Sequence, residues 1–174
     1  MKVVALNGSP RKNGNTAILI DTVLTELQKE GIETERIQLG GKKIHGCTAC
    51  MKCFANQDKH CSIDNDILNE VVDKMIEADG IIIGSPTINQ NTLLPVYKLF
   101  SVINPIRDKG KPAAAFGSFG WSGESVKLIE DHLRNLKLKI VGEGQTARFF
   151  PNSKETESLI RFGEEFVKAF QEEK

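Results

Sequence analysis

Apolar and polar positions alternate in blocks along this chain, and the period of each block predicts either a strand or a helix. Short apolar runs such as Ile81-Ile82-Ile83 are typical of strands that are buried on both faces. Glu33–Leu39 instead mixes charged with apolar residues, which favours a strand at the edge of a sheet. The predicted strands are Lys2–Leu6, Glu33–Leu39, Gly80–Gly84, Pro112–Phe116 and Lys137–Val141, with Thr146–Phe150 as an extension of the last.

Between these strands, apolar residues recur at the spacing of helices that bury one face. Thr16 is expected to open the first helix and Gly31 to end it, while Asp64 or Asp66 caps the second and Pro95 lies in the first turn of the third. Leu94–Ile103 is expected to form the third helix. The inner faces of the other helices are Ile20, Leu24 and Leu27; Ile67, Val71 and Met75; Val126, Ile129, Leu133 and Leu136; and Leu159, Phe162, Phe166 and Phe170.

Repeated strand–helix units predict an α/β protein with a five-stranded parallel sheet, covered by helices on both faces. Right-handed crossovers leave few topologies, and we expect the strand order 2-1-3-4-5. The sequence contains no repeat, low-complexity tract or linker, so residues 1–174 are interpreted as one domain.

Charge and hydropathy exclude several classes of function. The chain has 23 acidic and 23 basic residues, so its net charge gives no reason to expect nucleic acid or an anionic membrane as a partner. No apolar run approaches the roughly 20 residues that a membrane helix needs. The N-terminal strand leads directly into a glycine loop, which is unlike a signal peptide, and we expect a cytoplasmic protein.

The loop Gly8–Thr16 joins the first buried strand to the first helix. Amides at a helix N-terminus are unpaired and favour an anion, and this loop adds short polar side chains and one cation: Ser9, Asn15, Thr16 and Arg11. Such a loop suits a phosphate group. It matches neither the P-loop nor the GxGxxG pattern, so triphosphates and dinucleotides are disfavoured; an ordinary capped turn is the alternative.

Two further loops are expected at the same edge of the sheet, because parallel strands end there. Ser85–Thr92 offers backbone and amide donors beside Ile88, which suits the edge of a flat heteroaromatic ring or is simply a polar loop. Gly117–Gly123 holds the only tryptophan, Trp121, which either lies against a planar ligand or anchors the loop at the surface.

Four cysteines form the pattern C-x2-C-x2-C-x7-C: Cys47, Cys50, Cys53 and Cys61. Their spacing suits a [4Fe–4S] cluster, or a zinc ion held by four thiolates or with His60 replacing one of them. Thiols that pack the loop, or a redox-sensitive pair, are the alternatives. We expect His45 and His60 otherwise to be solvated and His132 to be structural.

The residues now support a resemblance to known families. Asn7–Thr16 together with the cysteine segment resembles the NADPH-dependent FMN reductase and iron–sulfur flavoprotein group of the flavodoxin superfamily. Gly84–Asn89 (GSPTIN) and Ala115–Ser125 (AFGSFGWSGES) resemble the flavodoxin domain of A-type flavoproteins. The resemblance implies a flavodoxin-like three-layer sandwich that binds FMN without a covalent bond.

The resemblance also implies the residues of the FMN site. The phosphate is expected on Ser9, Arg11, Asn13, Asn15 and Thr16. The ring is expected between Pro86, Thr87, Ile88, Asn89, Gln90 and Asn91 on one side and Ser118, Phe119, Gly120, Trp121, Ser122 and Gly123 on the other. Thr87 and Ile88 stand where many reductases of the group have an aromatic residue, which fits the A-type pattern better.

Three functional hypotheses follow from these observations. The first is an FMN-dependent oxidoreductase that takes electrons from NAD(P)H and passes them to an acceptor through flavin N5, with no catalytic side chain. The second is an iron–sulfur flavoprotein with its cluster on the four cysteines and a ferredoxin-like electron donor. The third is a non-redox module that binds a phosphate ligand. For a flavoprotein, we expect a homodimer or homotetramer, because a neighbouring subunit would complete the loops beside an exposed flavin.

Overall fold

Residues 1–56, 60–103 and 110–171 are described by the structure, a computed structural model. The strands within these ranges are β1 (Lys2–Asn7), β2 (Glu33–Gln38), β3 (Gly80–Pro86), β4 (Pro112–Phe119), β5 (Lys139–Ile140) and β6 (Gln145–Arg148). They form a single parallel sheet in the order β2-β1-β3-β4-β5, and β6 pairs with β4 as well. The predicted order and the edge position of β2 are confirmed.

The fifth position of the sheet differs from the prediction of one strand. Both β5 and β6 pair with β4, with Lys139 opposite Pro112 and Gln145 opposite Phe116. Over that stretch β4 advances by four residues and the split strand by six. The two extra residues are accommodated around Gly142, whose φ of 57° lies in the left-handed region that glycine adopts without strain. The gap between the predicted segments Lys137–Val141 and Thr146–Phe150 corresponds to this interruption, although both observed strands are shorter than predicted.

Six helices surround the sheet, within the described part of the chain: α1 (Asn15–Lys29), α2 (Lys52–Ala55), α3 (Leu68–Glu77), α4 (Leu94–Phe100), α5 (Glu124–Asn135) and α6 (Ser153–Gln171). Gly31 follows α1 with a φ of 74°, and Asp66 accepts the Leu68 amide at the start of α3, as expected. The prediction that α4 reaches Ile103 is wrong. The Ser101 and Val102 amides bond three residues back, to Lys98 and Leu99, and this tightening ends the helix.

Two apolar clusters lie on opposite faces of the sheet and make the three predicted layers. The α1 and α6 helices cover one face through side chains such as Leu19 and Phe166, and α3, α4 and α5 cover the other with Met75, Leu99 and Ile129. In the ranges that the structure describes, each helix is too short or too polar to cross a bilayer. The central strands are therefore buried on both sides, and their carboxyl ends present the loops of the candidate site.

Candidate functional site

The first loop opens directly onto the amino end of α1. Gly14 precedes the helix, and no side chain caps the amides of its first turn in the described structure. Ser9 is buried and its hydroxyl accepts the Arg11 amide at 3.2 Å, whereas the Arg11 and Asn13 side chains are exposed and Asn15 is half-buried. Unpaired helix amides with Arg11 nearby form a local environment that favours an anion.

Side chains of β2 hold the first loop, a contribution that the sequence did not reveal. Gln38 donates to the carbonyl oxygens of Ser9 and Gly40 and accepts a hydrogen bond from Asn7 Nδ2 at 2.9 Å. Arg36 donates to the Lys12 carbonyl at 2.8 Å. The contacts of Gln38 with Ser9 and of Arg36 with Lys12 join residues far apart in sequence, so the edge strand helps to set the shape of the loop.

Gly40 follows β2 and lies directly against the backbone of the first loop. A Cβ atom placed on Gly40 would lie 2.1 Å from the Ser9 carbonyl oxygen and 2.5 Å from the Pro10 nitrogen. No side chain fits at that distance, so glycine is required for the close approach. The conformation of the phosphate-loop candidate thus depends on a glycine outside it.

The second loop is a tight hairpin rather than an open polar loop. Ile88 and Asn91 exchange backbone hydrogen bonds of 3.0 and 3.1 Å, and Asn89 and Gln90 form the turn with φ values of 49° and 60°. Two consecutive positive φ values are those of a type I′ turn. Asn89, Gln90 and Ile88 are exposed at the tip, while Pro86 and Thr87 are half-buried at the base.

Hydrogen bonds join all three loops at one edge of the sheet. The buried hydroxyls of Thr16 and Ser118 lie 2.8 Å apart, which connects the first loop to the third. The Thr87 amide donates to the Ser118 carbonyl at 2.8 Å, which connects the second loop to the third. Ser125 reinforces this second connection, because its hydroxyl accepts from Thr87 and donates to the Ser85 carbonyl. The expected juxtaposition of the three loops is confirmed.

A cavity of about 450 Å³ separates the second loop from the third. Its lining consists of six of the predicted ring-binding residues: Thr87, Asn89, Gln90, Gly120, Trp121 and Ser122. Trp121 is 94% exposed, so its indole is free to meet a ligand that enters the cavity. Phe119 packs beside Gly123, and the Phe119 carbonyl accepts a hydrogen bond from the Phe149 amide at 2.8 Å. Phe119 and Gly123 therefore support the third loop without lining the cavity.

The four cysteines line a second cavity, of about 280 Å³, with apolar neighbours that include Met51, Phe54 and Val102. In the part of the chain that the structure describes, no three His, Cys, Asp or Glu side chains gather closely enough to hold one metal ion. The zinc site that the spacing suggested is therefore not preformed among the described residues. A [4Fe–4S] cluster would be held by one thiolate on each iron and would need a wider spacing of the four thiols than a single zinc ion does.

Cys50 occupies a strained part of its loop. Ala49 and Met51, its two neighbours, have φ values of 53° and 61°, which is costly for residues with a Cβ atom. A hydrogen bond from the Ser62 hydroxyl, with backbone donation from Lys52, lowers the pKa of the Cys50 thiol from 9.0 to about 7. The loop thus favours the thiolate, the form that binds metals.

His45 and His60 are half-buried rather than fully solvated, and each pairs with a carboxylate that the sequence analysis did not identify. His45 Nδ1 lies 2.8 Å from Asp66, whose side chain is fully buried, and His60 Nε2 lies 2.6 Å from Asp73. Both carboxylates are distant in sequence, so spacing alone did not indicate the pairs. His132 is structural as expected, because its ring stacks on Phe100 with centroids 4.4 Å apart.

Sheet order, loop position and the cavity at the strand ends define a flavodoxin-like α/β protein. The chain belongs to the NADPH-dependent FMN reductase family, whose model matches residues 1–148. A solved flavodoxin from the domain Archaea shares the fold, with a TM-score of 0.73 and 22% identity over 98% of this chain and 99% of that one.

Two relatives show where the sequence similarity lies. The iron–sulfur flavoprotein MJ1083 of Methanocaldococcus jannaschii is 35% identical over 138 residues, which cover 76% of this chain and 70% of that protein. The flavo-diiron protein FprA2 of Clostridium acetobutylicum is 39% identical over 108 residues, which cover 60% of this chain and 27% of that protein. The matched segment is thus a small part of the flavo-diiron protein.

Proposed function

We propose that the chain binds FMN at the three-loop edge of its sheet and transfers electrons from reduced nicotinamide to an acceptor. One observation carries the proposal: Thr16, Thr87 and Ser118 tie an anion-favouring loop to the two loops that line a cavity. Membership of the FMN reductase family supports the choice of FMN among phosphate ligands.

The residues of the site fit the two ends of the nucleotide. The uncapped amides at the start of α1 and the predicted side chains Ser9, Arg11, Asn13 and Asn15 suit a monophosphate dianion. Thr16 would contribute its amide, since its hydroxyl already pairs with Ser118. The cavity beside Trp121 offers polar groups and an aromatic face to a flat ring system.

When bound, FMN supplies hydride acceptance and electron transfer in one or two steps. The protein then has to orient the ring and leave one face open to the donor. The hairpin with Asn89 and Gln90 at its tip limits access from one side, and the exposed Trp121 does so from the other. Backbone groups of residues 88–90 are our candidates for tuning the reduction potential.

Anaerobic mixing of FMN-loaded protein with NADPH or NADH tests the reductase proposal. We expect the visible flavin absorbance to fall at a rate that saturates with the nicotinamide. A protein that holds FMN but is reduced by neither nucleotide would contradict the nicotinamide donor and leave FMN binding intact. A colourless protein that takes up no FMN would favour the phosphate-binding module instead.

A second candidate function is the iron–sulfur flavoprotein, because all four cysteines face one cavity. We propose that this cavity holds a [4Fe–4S] cluster on Cys47, Cys50, Cys53 and Cys61. The strained backbone around Cys50 and its acidic thiol support this assignment. A ferredoxin-like protein is then the proposed donor.

Iron and acid-labile sulfide analysis of anaerobically purified protein separates the two candidates. About four irons and four sulfides per chain, with a broad shoulder beside the flavin bands, would support the cluster. Protein that lacks iron but oxidises NADPH steadily would support the reductase alone. The double variant Cys50→Ser/Cys53→Ser is the matched control, and it is expected to retain FMN while losing iron.

A further inference from the structure

Cys61 stands apart from the other three cysteines in sequence. Seven residues separate it from Cys53, whereas Cys47, Cys50 and Cys53 follow one another at spacings of three. The local turn that brings the first three thiols together therefore does not position the fourth. Yet Cys61 lines the same cavity, so another element has to hold it there.

That element is α3, through the side chain of Asn69. The Asn69 amide donates to the Cys61 carbonyl at 2.9 Å, and its Oδ1 atom accepts the Cys61 amide at 3.0 Å. One side chain thereby pairs with both backbone groups of the cysteine. This two-point contact fixes the position and the direction of the Cys61 backbone.

The next turn of the same helix holds the residue before Cys61. Asp73 lies four positions after Asn69, so the two side chains share one face of α3. His60 Nε2 lies 2.6 Å from Asp73 Oδ1. Consecutive loop residues are thus held by consecutive turns of the helix.

The first cysteine has a separate anchor. The Cys47 amide donates to the Ser101 hydroxyl at 2.9 Å, and that hydroxyl donates to the Lys98 carbonyl at 2.6 Å. Ser101 follows α4, whereas Asn69 belongs to α3. The backbones of Cys47 and Cys61 are therefore anchored by different elements, and the contact between Cys50 and Ser62 joins the parts of the segment that lie between these anchors.

We infer that Asn69 is the positioning residue for Cys61 and that Ser101 plays the same part for Cys47. The inference rests on the proposed cluster for its functional meaning, because a ligand that is bound by all four thiolates requires both ends of the segment to be in place. The contacts themselves are properties of this chain and are testable without iron.

The test measures alkylation of each cysteine in iron-free protein by mass spectrometry after timed exposure to iodoacetamide. Asn69→Ala is expected to speed modification of Cys61 about tenfold and leave Cys47 unchanged, because local opening around Cys61 becomes easier. Cys47 is already exposed, so its anchor is tested by hydrogen exchange: Ser101→Ala should speed exchange of the Cys47 amide, which loses its acceptor, and leave alkylation of Cys61 unchanged. Asn69→Asp keeps the acceptor for the Cys61 amide and should give an intermediate rate.

Glu70→Ala is the matched control, since Glu70 is exposed on the same helix. It should alter neither rate. Equal Cys61 rates in Asn69→Ala and wild-type protein would overturn the inference, and so would acceleration of all four cysteines together, which indicates general loosening of the loop.

Reconstitution with iron and sulfide then connects the anchor to the cluster. Asn69→Ala is expected to hold less than about half of the iron of the wild-type and Glu70→Ala proteins, while its FMN content stays the same. If wild-type protein takes up no iron but the alkylation pattern holds, the cluster proposal fails and the positioning role stands. Full iron loading of Asn69→Ala would overturn the link between them.

Discussion

The Thr16–Ser118 contact is the direct connection between the first and third loops, and both residues are buried. Ser118→Ala leaves the Thr16 hydroxyl without its partner, and we expect the free energy of unfolding to fall by about 1–3 kcal/mol. Urea denaturation of FMN-free protein measures this change. The double variant Thr16→Val/Ser118→Ala removes both polar groups and should recover much of the loss. A loss in the double variant equal to the sum of the losses in the Thr16→Val and Ser118→Ala single variants would contradict the pairing.

Gly40 makes the sharpest prediction at the residue scale, because the Ser9 backbone leaves no room for a Cβ atom. Gly40→Ala should displace the first loop, reduce stability by about 1–3 kcal/mol and weaken FMN more than riboflavin, which lacks the phosphate. Binding is measured by flavin fluorescence. Gly46→Ala is the control, since its Cβ would meet the nearest atom at an ordinary 3.7 Å; equal losses in the two variants would refute the account.

The hairpin between β3 and α4 carries backbone strain at Gln90, whose φ is 60°. Gln90→Gly provides the residue that a type I′ turn prefers after Asn89, and we expect a gain of about 0.5–1 kcal/mol, seen as a higher Tm. Gln90→Ala keeps the Cβ atom and should bring no gain. If both variants behave alike, the turn is not the source of the strain.

The edge strand β2 is held by an ion-pair network on Glu35. Lys74 Nζ lies 2.5 Å and Lys2 Nζ 3.2 Å from its carboxylate, and hydrogen bonding to Lys74 lowers the pKa of Glu35 from 4.5. Because folding lowers the pKa of Glu35, its ionised carboxylate stabilises the folded state fully above about pH 4.5. This stabilisation is lost as the pH falls through the folded-state pKa of Glu35.

Glu35→Gln therefore tests the electrostatic support of β2. The partly exposed pair is worth at most about 1 kcal/mol at neutral pH, and the difference from wild-type protein should shrink as the pH falls below about 4.5. Urea denaturation at about pH 7 and about pH 3 measures both values. A difference that is just as large at the lower pH would show that packing, rather than charge, accounts for it.

At the scale of the whole molecule, the sequence predicted what depends on local pattern. The run Ile81-Ile82-Ile83 indicated a buried central strand. The glycine- and asparagine-rich loop before Thr16 indicated a helix N-terminus at the edge of the sheet. These signals specify the strand order and the three loops, because chirality and parallel pairing leave few arrangements.

The features that escaped prediction depend on contacts between distant residues. Gln38 of β2 hydrogen-bonds to the first loop, Asp66 pairs with His45, and Asn69 hydrogen-bonds to the Cys61 backbone. None of these contacts has a local sequence signature. The sequence left a gap between the segments that became β5 and β6, but the two extra residues that the left-handed Gly142 accommodates were not predicted. Such contacts become visible only when the chain is folded.

The central claim is that one FMN occupies the three-loop edge with its ring beside Trp121. Trp121 is the only tryptophan in the chain, so its emission reports on that position alone. Titration of FMN-free protein with FMN should quench this emission with saturation at one FMN per chain, whereas riboflavin should need a much higher concentration. Emission that stays constant while FMN binds, or equal affinity for FMN and riboflavin, would contradict the proposed pocket.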